Sequence, residues 1–166
     1  FAHRNIRFGG VVTASGETPD DLFTLAVDDI GIVDAFEQTC NLFAESRIEF
    51  LRGWIGNDKH TALALKGPMG LRAYGVIRPC LEGHKIGPLF APNAKDAKTL
   101  FGALLQSRDD QGGKVYLDVP EPNQAAIDLA TTHGMVPEFE TARMYKGPAP
   151  KLDLGMAFGI SSFELG

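Results

Sequence analysis

Cysteine is scarce in this chain, and long apolar runs, metal-type spacings and an excess of positive charge are missing. Cys40 and Cys80 are the only cysteines. They form neither a paired metal spacing nor a disulfide framework, so a reducing, cytoplasmic compartment is the simpler expectation. His3, His60, His84 and His133 show no partner spacing with one another or with the cysteines, and no metal is expected. No apolar run approaches the roughly 18 residues needed to span a bilayer, and the start shows no signal peptide. The net charge of −5 argues against a general nucleic-acid or anionic-membrane surface. A G-x-S-x-G elbow, a P-loop and a dinucleotide fingerprint are all absent, which leaves hydrolase and nucleotide-binding readings without support.

What is present is an ordinary soluble composition. The 166 residues, 44% hydrophobic and 22% charged, suffice for one domain with a real core. The chain begins at Phe1 rather than Met, which leaves open that it is the C-terminal half of a longer protein. Residues 1–27 read as a strand or linker segment, either the end of a preceding domain or a first strand, with Leu22–Val27 a short apolar run. From Asp29 the period becomes helical: Val33, Phe36, Cys40 and Phe43, then Ile48, Leu51, Trp54 and Ile55. Two helices broken near Asn41–Glu45 are expected. Arg47 and Arg52 read as solvated helix charges in preference to anion ligands. His60–Lys66 and Leu71–Arg78 make a hairpin around Gly67-Pro68-Met69-Gly70, in which Tyr74 either lines a pocket or packs and bonds through its hydroxyl. His84–Ala91 is a strand interrupted by Gly87-Pro88, where proline withholds a ladder donor and a bulge or divergence must follow. Asp96–Ser107 carries an apolar stripe of Ala97, Leu100, Phe101, Leu104 and Leu105.

Lys114–Met135 organises the rest. Val115–Val119 reads as a buried strand, Pro120 and Pro122 stop it, Asn123 caps a helix with Ala126, Leu129 and Ala130 on one face, and Gly134 ends it. Val136–Lys146 is a further strand, and Phe158–Phe163 is expected to close the sheet. The C-terminal end of the buried strand, around Asp118–Asn123, is where open α/β sheets bind ligands.

The spacing Asn123, Ala126, Leu129, Gly134, Met135 resembles the N-x-x-A-x-x-L-Y-x-x-x-G-F signature of the GCN5-related N-acetyltransferase (GNAT) superfamily, with Met135 at the Phe position and Ala130 at the Tyr position. The blocks KIGPLFA, YLDVPEPN, ARMYKG and FGISSFELG resemble the C-terminal domain of a branch of that superfamily, and the likeness runs over residues 28–166. It implies an α/β (α+β) fold: a central mixed, mostly antiparallel sheet with a splayed parallel strand pair and helices on both faces.

The resemblance implies acyl-CoA-dependent N-acyl transfer from acetyl-CoA, with no metal. It makes Ile86, Gly87 and Leu89 the wall for the pantetheine arm, Asn93 and Lys95 the pyrophosphate site, and Asn123 a further cofactor-side residue. The loop Pro92-Asn93-Ala94-Lys95-Asp96-Ala97 departs from the glycine-bearing Q/R-x-x-G-x-G/A pattern. With Ala130 in place of the tyrosine acid, Asp118 and Glu121 are candidate bases, and Tyr145 with Arg143 a candidate acid and anion contact. Expected partners are a small-molecule or peptide amine, a preceding acetyltransferase-like domain or a second copy, but neither nucleic acid nor membrane. The alternative is a domain that kept the architecture without catalysis and serves as an interaction, dimerisation or substrate-binding module.

Overall fold

The computed structural model describes residues 1–165. Gly166, which ends both the expected domain and the FGISSFELG block, lies outside the described residues. The first strand, β1 (His3–Val11), is followed by a three-residue strand β2 (Leu22–Thr24), then by helices α1 (Ile30–Thr39) and α2 (Ile48–Ile55). A hairpin of β3 (Thr61–Gly67) and β4 (Gly70–Pro79) leads to β5 (His84–Phe90) and α3 (Ala94–Gln106). The chain then makes β6 (Lys114–Pro120), α4 (Gln124–Thr132), β7 (Val136–Arg143) and a short β8 (Ala157–Gly159).

The strands form one sheet in the order β2-β3-β4-β5-β6-β1-β7, with β8 paired to β5. Every pairing is antiparallel except β5 with β6. The helices cover both faces. On one, the α3 stripe of Leu100, Phe101 and Leu104 packs with Leu65, Leu89 and Leu117. On the other, Val33 and Phe36 of α1 and Leu51 and Ile55 of α2 pack with Tyr74, Val76 and Phe90.

Local chemistry sets the helix ends. The Asn93 side chain accepts from the Asp96 N–H at 2.9 Å and starts α3. Asn123 does the same for α4 through the Ala126 N–H at 3.1 Å. Gly134 takes φ +74, a left-handed value that only glycine adopts at little cost, and releases the chain into β7.

Two expectations about the ends of the chain meet different outcomes. Residues 3–11 are an interior strand: β1 lies between β6 and β7, from Asn5 opposite Pro120 to Val11 opposite Lys114. Of the two readings, strand or linker, the strand holds, and Phe8 and Val12 are core residues. The C-terminal strand was expected to close the sheet over Phe158–Phe163. It is instead three residues long and pairs with β5 inside the sheet, where β5 is no longer paired with β6.

Phe8 is 3% exposed. Phe8→Ala should therefore cost about 3–5 kcal/mol in urea unfolding. A loss below about 1 kcal/mol would show that β1 does not belong to the core.

Candidate functional site

Strands β5 and β6 run side by side only from His84–Ile86 against Val115–Leu117. Beyond Leu117 they part. The C-terminal segment of the chain fills the opening: Leu89 pairs with Gly159 and Phe90 with Ala157 on the β5 side. On the β6 side the Ile160 N–H donates to the Asp118 carbonyl at 2.9 Å. The Asn123 side-chain amide donates to the carbonyls of Leu154, Gly155 and Ala157 at 3.1, 3.0 and 2.9 Å. A side chain at Gly87 has no room, since a Cβ there would sit 2.5 Å from the Ile160 carbonyl oxygen and 2.7 Å from that of Ser161. The Gly87 carbonyl accepts from the Trp54 indole N–H at 3.1 Å.

Gly87 and Leu89 therefore line a real divergence of strands with main chain from this same protein against them, while Ile86 is still paired with Leu117. Asn123, expected on the cofactor side, holds that segment in place.

At the start of α3, Asn93 is committed to its cap and Lys95 is exposed. The Asp96 carboxylate accepts from Arg72 at 3.0 and 3.2 Å, and Arg72 also pairs with Asp21. An anion arriving here would meet a carboxylate, and the cation that offsets it is already shared between two acids.

The three acid–base candidates are held apart. Asp118 is fully buried and accepts from Arg7 at 2.8 and 3.0 Å, with Lys85 in a second close ion pair. Bonding to Asp118 pushes the partly exposed Arg7 upward in pKa. Burial dominates for the nearly enclosed Lys85 and pushes it downward, although Asp118 opposes the shift. Glu121 is in a different cluster, bonded to Arg4, which also reaches Glu140. Its Arg4 contact holds the carboxyl below the usual range, which favours the anion and weakens it as a base. The Tyr145 hydroxyl accepts from Arg143 Nε at 3.2 Å at the wall of a cavity of about 60 Å³, also lined by His3, Asn5, Phe43 and Ile160. That volume is far below the roughly 300 Å³ at which small-molecule sites begin.

Two further residues were misjudged or missed. Arg47 is not a solvated charge: it donates to Glu37 at 3.0 Å through Nε, with a second Nη2 contact at 2.6 Å, and reaches Ser161 Oγ at 3.4 Å. Glu37 is fully buried and also accepts from the Tyr74 hydroxyl. Burial, foremost, pushes that phenol well above its ordinary pKa. The signal was present, because Glu37 follows Val33 by four residues and so lies on the buried face of α1. Arg52, by contrast, is exposed, 3.7 Å from Glu49.

A sheet that parts beside a strand-turn-helix signature fits one family above others, and a family model for the acetyltransferase (GNAT) domain matches residues 36–159. The chain belongs to the GNAT acetyltransferase family. It is 26% identical over 160 residues to the Holothin acyltransferase of Pseudoalteromonas sp. (strain SANK 73390), covering 96% of this chain and 53% of that protein. A solved candidate acetyltransferase from Pyrococcus horikoshii superposes with a TM-score of 0.77 at 18% identity, over 99% of this chain and 52% of its own. A candidate GNAT-family acetyltransferase from Novosphingobium aromaticivorans gives 0.60 at 14%, over 83% and 61%. At these identities the structures establish the GNAT fold alone. The chain spans about half the length of the acyltransferase and of the Pyrococcus protein. Among the described residues, no helix is long and apolar enough to cross a membrane, and no group of three or more His, Cys, Asp or Glu is placed to hold a metal.

Two predictions come from these clusters. Asp118→Asn leaves Arg7 and Lys85 without their shared anion and should cost about 3–5 kcal/mol in denaturant unfolding. A near-neutral result would mean that the pairs contribute nothing net. Burial also pushes the His60 imidazole below its ordinary 6.5, against the opposing pull of the Trp54 carbonyl. Between that depressed value and 6.5 the unfolded chain holds more protons than the folded one. Stability is therefore full above 6.5 and falls as the pH drops through it. Melting curves from about pH 7.5 to about 5.5 should show the fall, and His60→Gln should make it shallower, leaving the part owed to His3, which burial also pushes down. An identical slope in the variant would assign the fall to other groups.

Proposed function

We propose that this chain is the half of an acyl-CoA-dependent N-acyltransferase that holds no donor of its own. It keeps the GNAT scaffold, fills its own pantetheine gap with residues 157–161, and completes a longer protein. The remaining part of that protein holds acetyl-CoA and passes the acetyl group to a small-molecule or peptide amine. The observation that carries this reading is the Ile160 N–H bonded to the Asp118 carbonyl across the parted strands. A pantetheine arm would need the space, and the β5 main-chain groups at Leu89 and Phe90, that residues 157–161 now occupy.

Three features favour the reading. The loop before α3 has no glycine through which main chain could approach a pyrophosphate, and the Arg72-bound Asp96 sits in it. Ala130 stands where a tyrosine would protonate the departing thiolate, and a methyl group has no proton to give. The candidate base Asp118 has its carboxylate locked between two cations.

A second reading keeps the donor in this chain and makes residues 157–161 displaceable. It is favoured by Gly87, whose missing side chain leaves the wall open to a main-chain-sized occupant.

Calorimetry and thermal melts with acetyl-CoA separate the two. The wild-type chain should show no saturable heat and no rise in melting temperature at millimolar ligand. Asn123→Ala frees three carbonyls of the segment while costing about 0.5–2 kcal/mol through its lost cap. It too should remain without binding. Saturable binding that appears in Asn123→Ala, or is already present in the wild type, would overturn the donor-free reading in favour of the second.

A further inference from the structure

A second cluster lies at the opposite end of the parallel pair, where β4 ends and β5 begins. A cavity of about 330 Å³ opens there between Arg7, Arg78, Lys85 and Tyr116, with Glu82 and Glu164 on its rim. Its size is within the range of small-ligand sites. It does not overlap the gap filled by residues 157–161, although two of its lining residues, Arg7 and Lys85, also hold the Asp118 carboxylate.

The charges of its walls do not balance from within. Asp118 is the one fully buried carboxylate nearby, and it is shared by two cations, Arg7 and Lys85. Lys85 is 5% exposed, so its charge is carried inside the protein. Arg78 adds a third cation. Its Nε is buried without a hydrogen-bond partner, and no carboxylate lies in ion-pair range of it among the described residues. The guanidinium rests over the Trp54 ring at 5.1 Å, an attraction that does not neutralise it. The Tyr116 hydroxyl has a contact with Glu82 at 3.5 Å, the limit of a hydrogen bond, and can turn into the cavity. Glu82 and Glu164 are both exposed, and the Glu164 carboxylate is occupied by the Ser162 hydroxyl. Buried cations are ordinarily matched by anions. Here three cations face one enclosed carboxylate, the two glutamates standing exposed on the rim, and a cavity lies beside the unpaired Arg78.

We propose that this cavity binds a small oxyanion, a single carboxylate or phosphate head, held by Arg78 and Lys85 with the Tyr116 hydroxyl donating. The two rim carboxylates restrict it to one compact anionic head and repel extended polyanions.

The test is a thermal titration of the chain with inorganic phosphate and, separately, with succinate, each against sodium chloride at matched ionic strength. A saturable rise of about 2–5 °C is expected with at least one of them. A rise with phosphate alone identifies a phosphate head, and one with succinate alone a carboxylate. Arg78→Gln should reduce the rise to below about 1 °C. In chloride it should melt no lower than the wild type, because it removes an unmatched charge. Tyr116→Phe, which deletes one hydroxyl, should weaken the affinity about three- to tenfold and provides a second reading should Arg78→Gln fold poorly. Glu164→Gln should tighten it. No rise beyond chloride with either anion, or rises of equal size and affinity in the wild type and in both the Arg78 and Tyr116 variants, would overturn the proposal.

Discussion

A parted pair of strands exposes main-chain donors and acceptors on both walls, and burying them unpaired would cost roughly 1–3 kcal/mol apiece. In this chain the residues that satisfy them are its own. Ile160 bonds the Asp118 carbonyl, β8 pairs with the far end of β5, and the Asn123 amide gathers three carbonyls of the incoming segment. The bonds that make the C-terminal region part of the core thus also fill the gap between β5 and β6.

That arrangement depends on where β1 lies. A strand from the start of the chain occupies the position between β6 and β7, and the segment after β7 pairs with β5 and not with the open edge of β7. It turns inward along β5. The same insertion brings Arg7 against Asp118, opposite which it stands in register. A carboxylate at the end of a central strand is thereby made a structural anion. Its neighbour Lys85 comes from the parallel strand, so one buried charge ties together β1, β5 and β6.

Much of the scaffold was legible from local pattern. The α3 stripe, the Asn123 cap, the Gly134 stop and the hairpin at Gly67–Gly70 each rest on residues within a few positions of one another. The divergence at Gly87-Pro88 was legible for the same reason, since a proline cannot donate to the ladder. What fills the divergence was not, because it depends on contacts between residues about thirty to seventy positions apart. The place of β1 was hidden likewise: a short apolar stretch with two glycines reads as strand or linker, and its position between β6 and β7 rests on pairing with Lys114–Pro120. The candidate acids were picked by proximity to a strand end. Proximity along the chain does not reveal that Asp118 and Glu121 belong to separate ion-pair clusters, with Arg7 and Arg4 as their respective partners. Glu37 and Arg47 show the reverse failure. The four-residue spacing from Val33 puts Glu37 on the buried face of α1, but the charge paired with it there comes from the start of the next helix.

The most direct measurement of the central claim is hydrogen exchange at the Ile160 amide, followed by NMR or mass spectrometry with and without acetyl-CoA. The account predicts slow exchange, comparable to the amides of the interior strand β6, and no change when millimolar acetyl-CoA is added. Fast exchange at Ile160 in the free protein, or protection lost on adding acetyl-CoA, would mean that the segment leaves the gap, and the account of a self-filled donor site would be wrong.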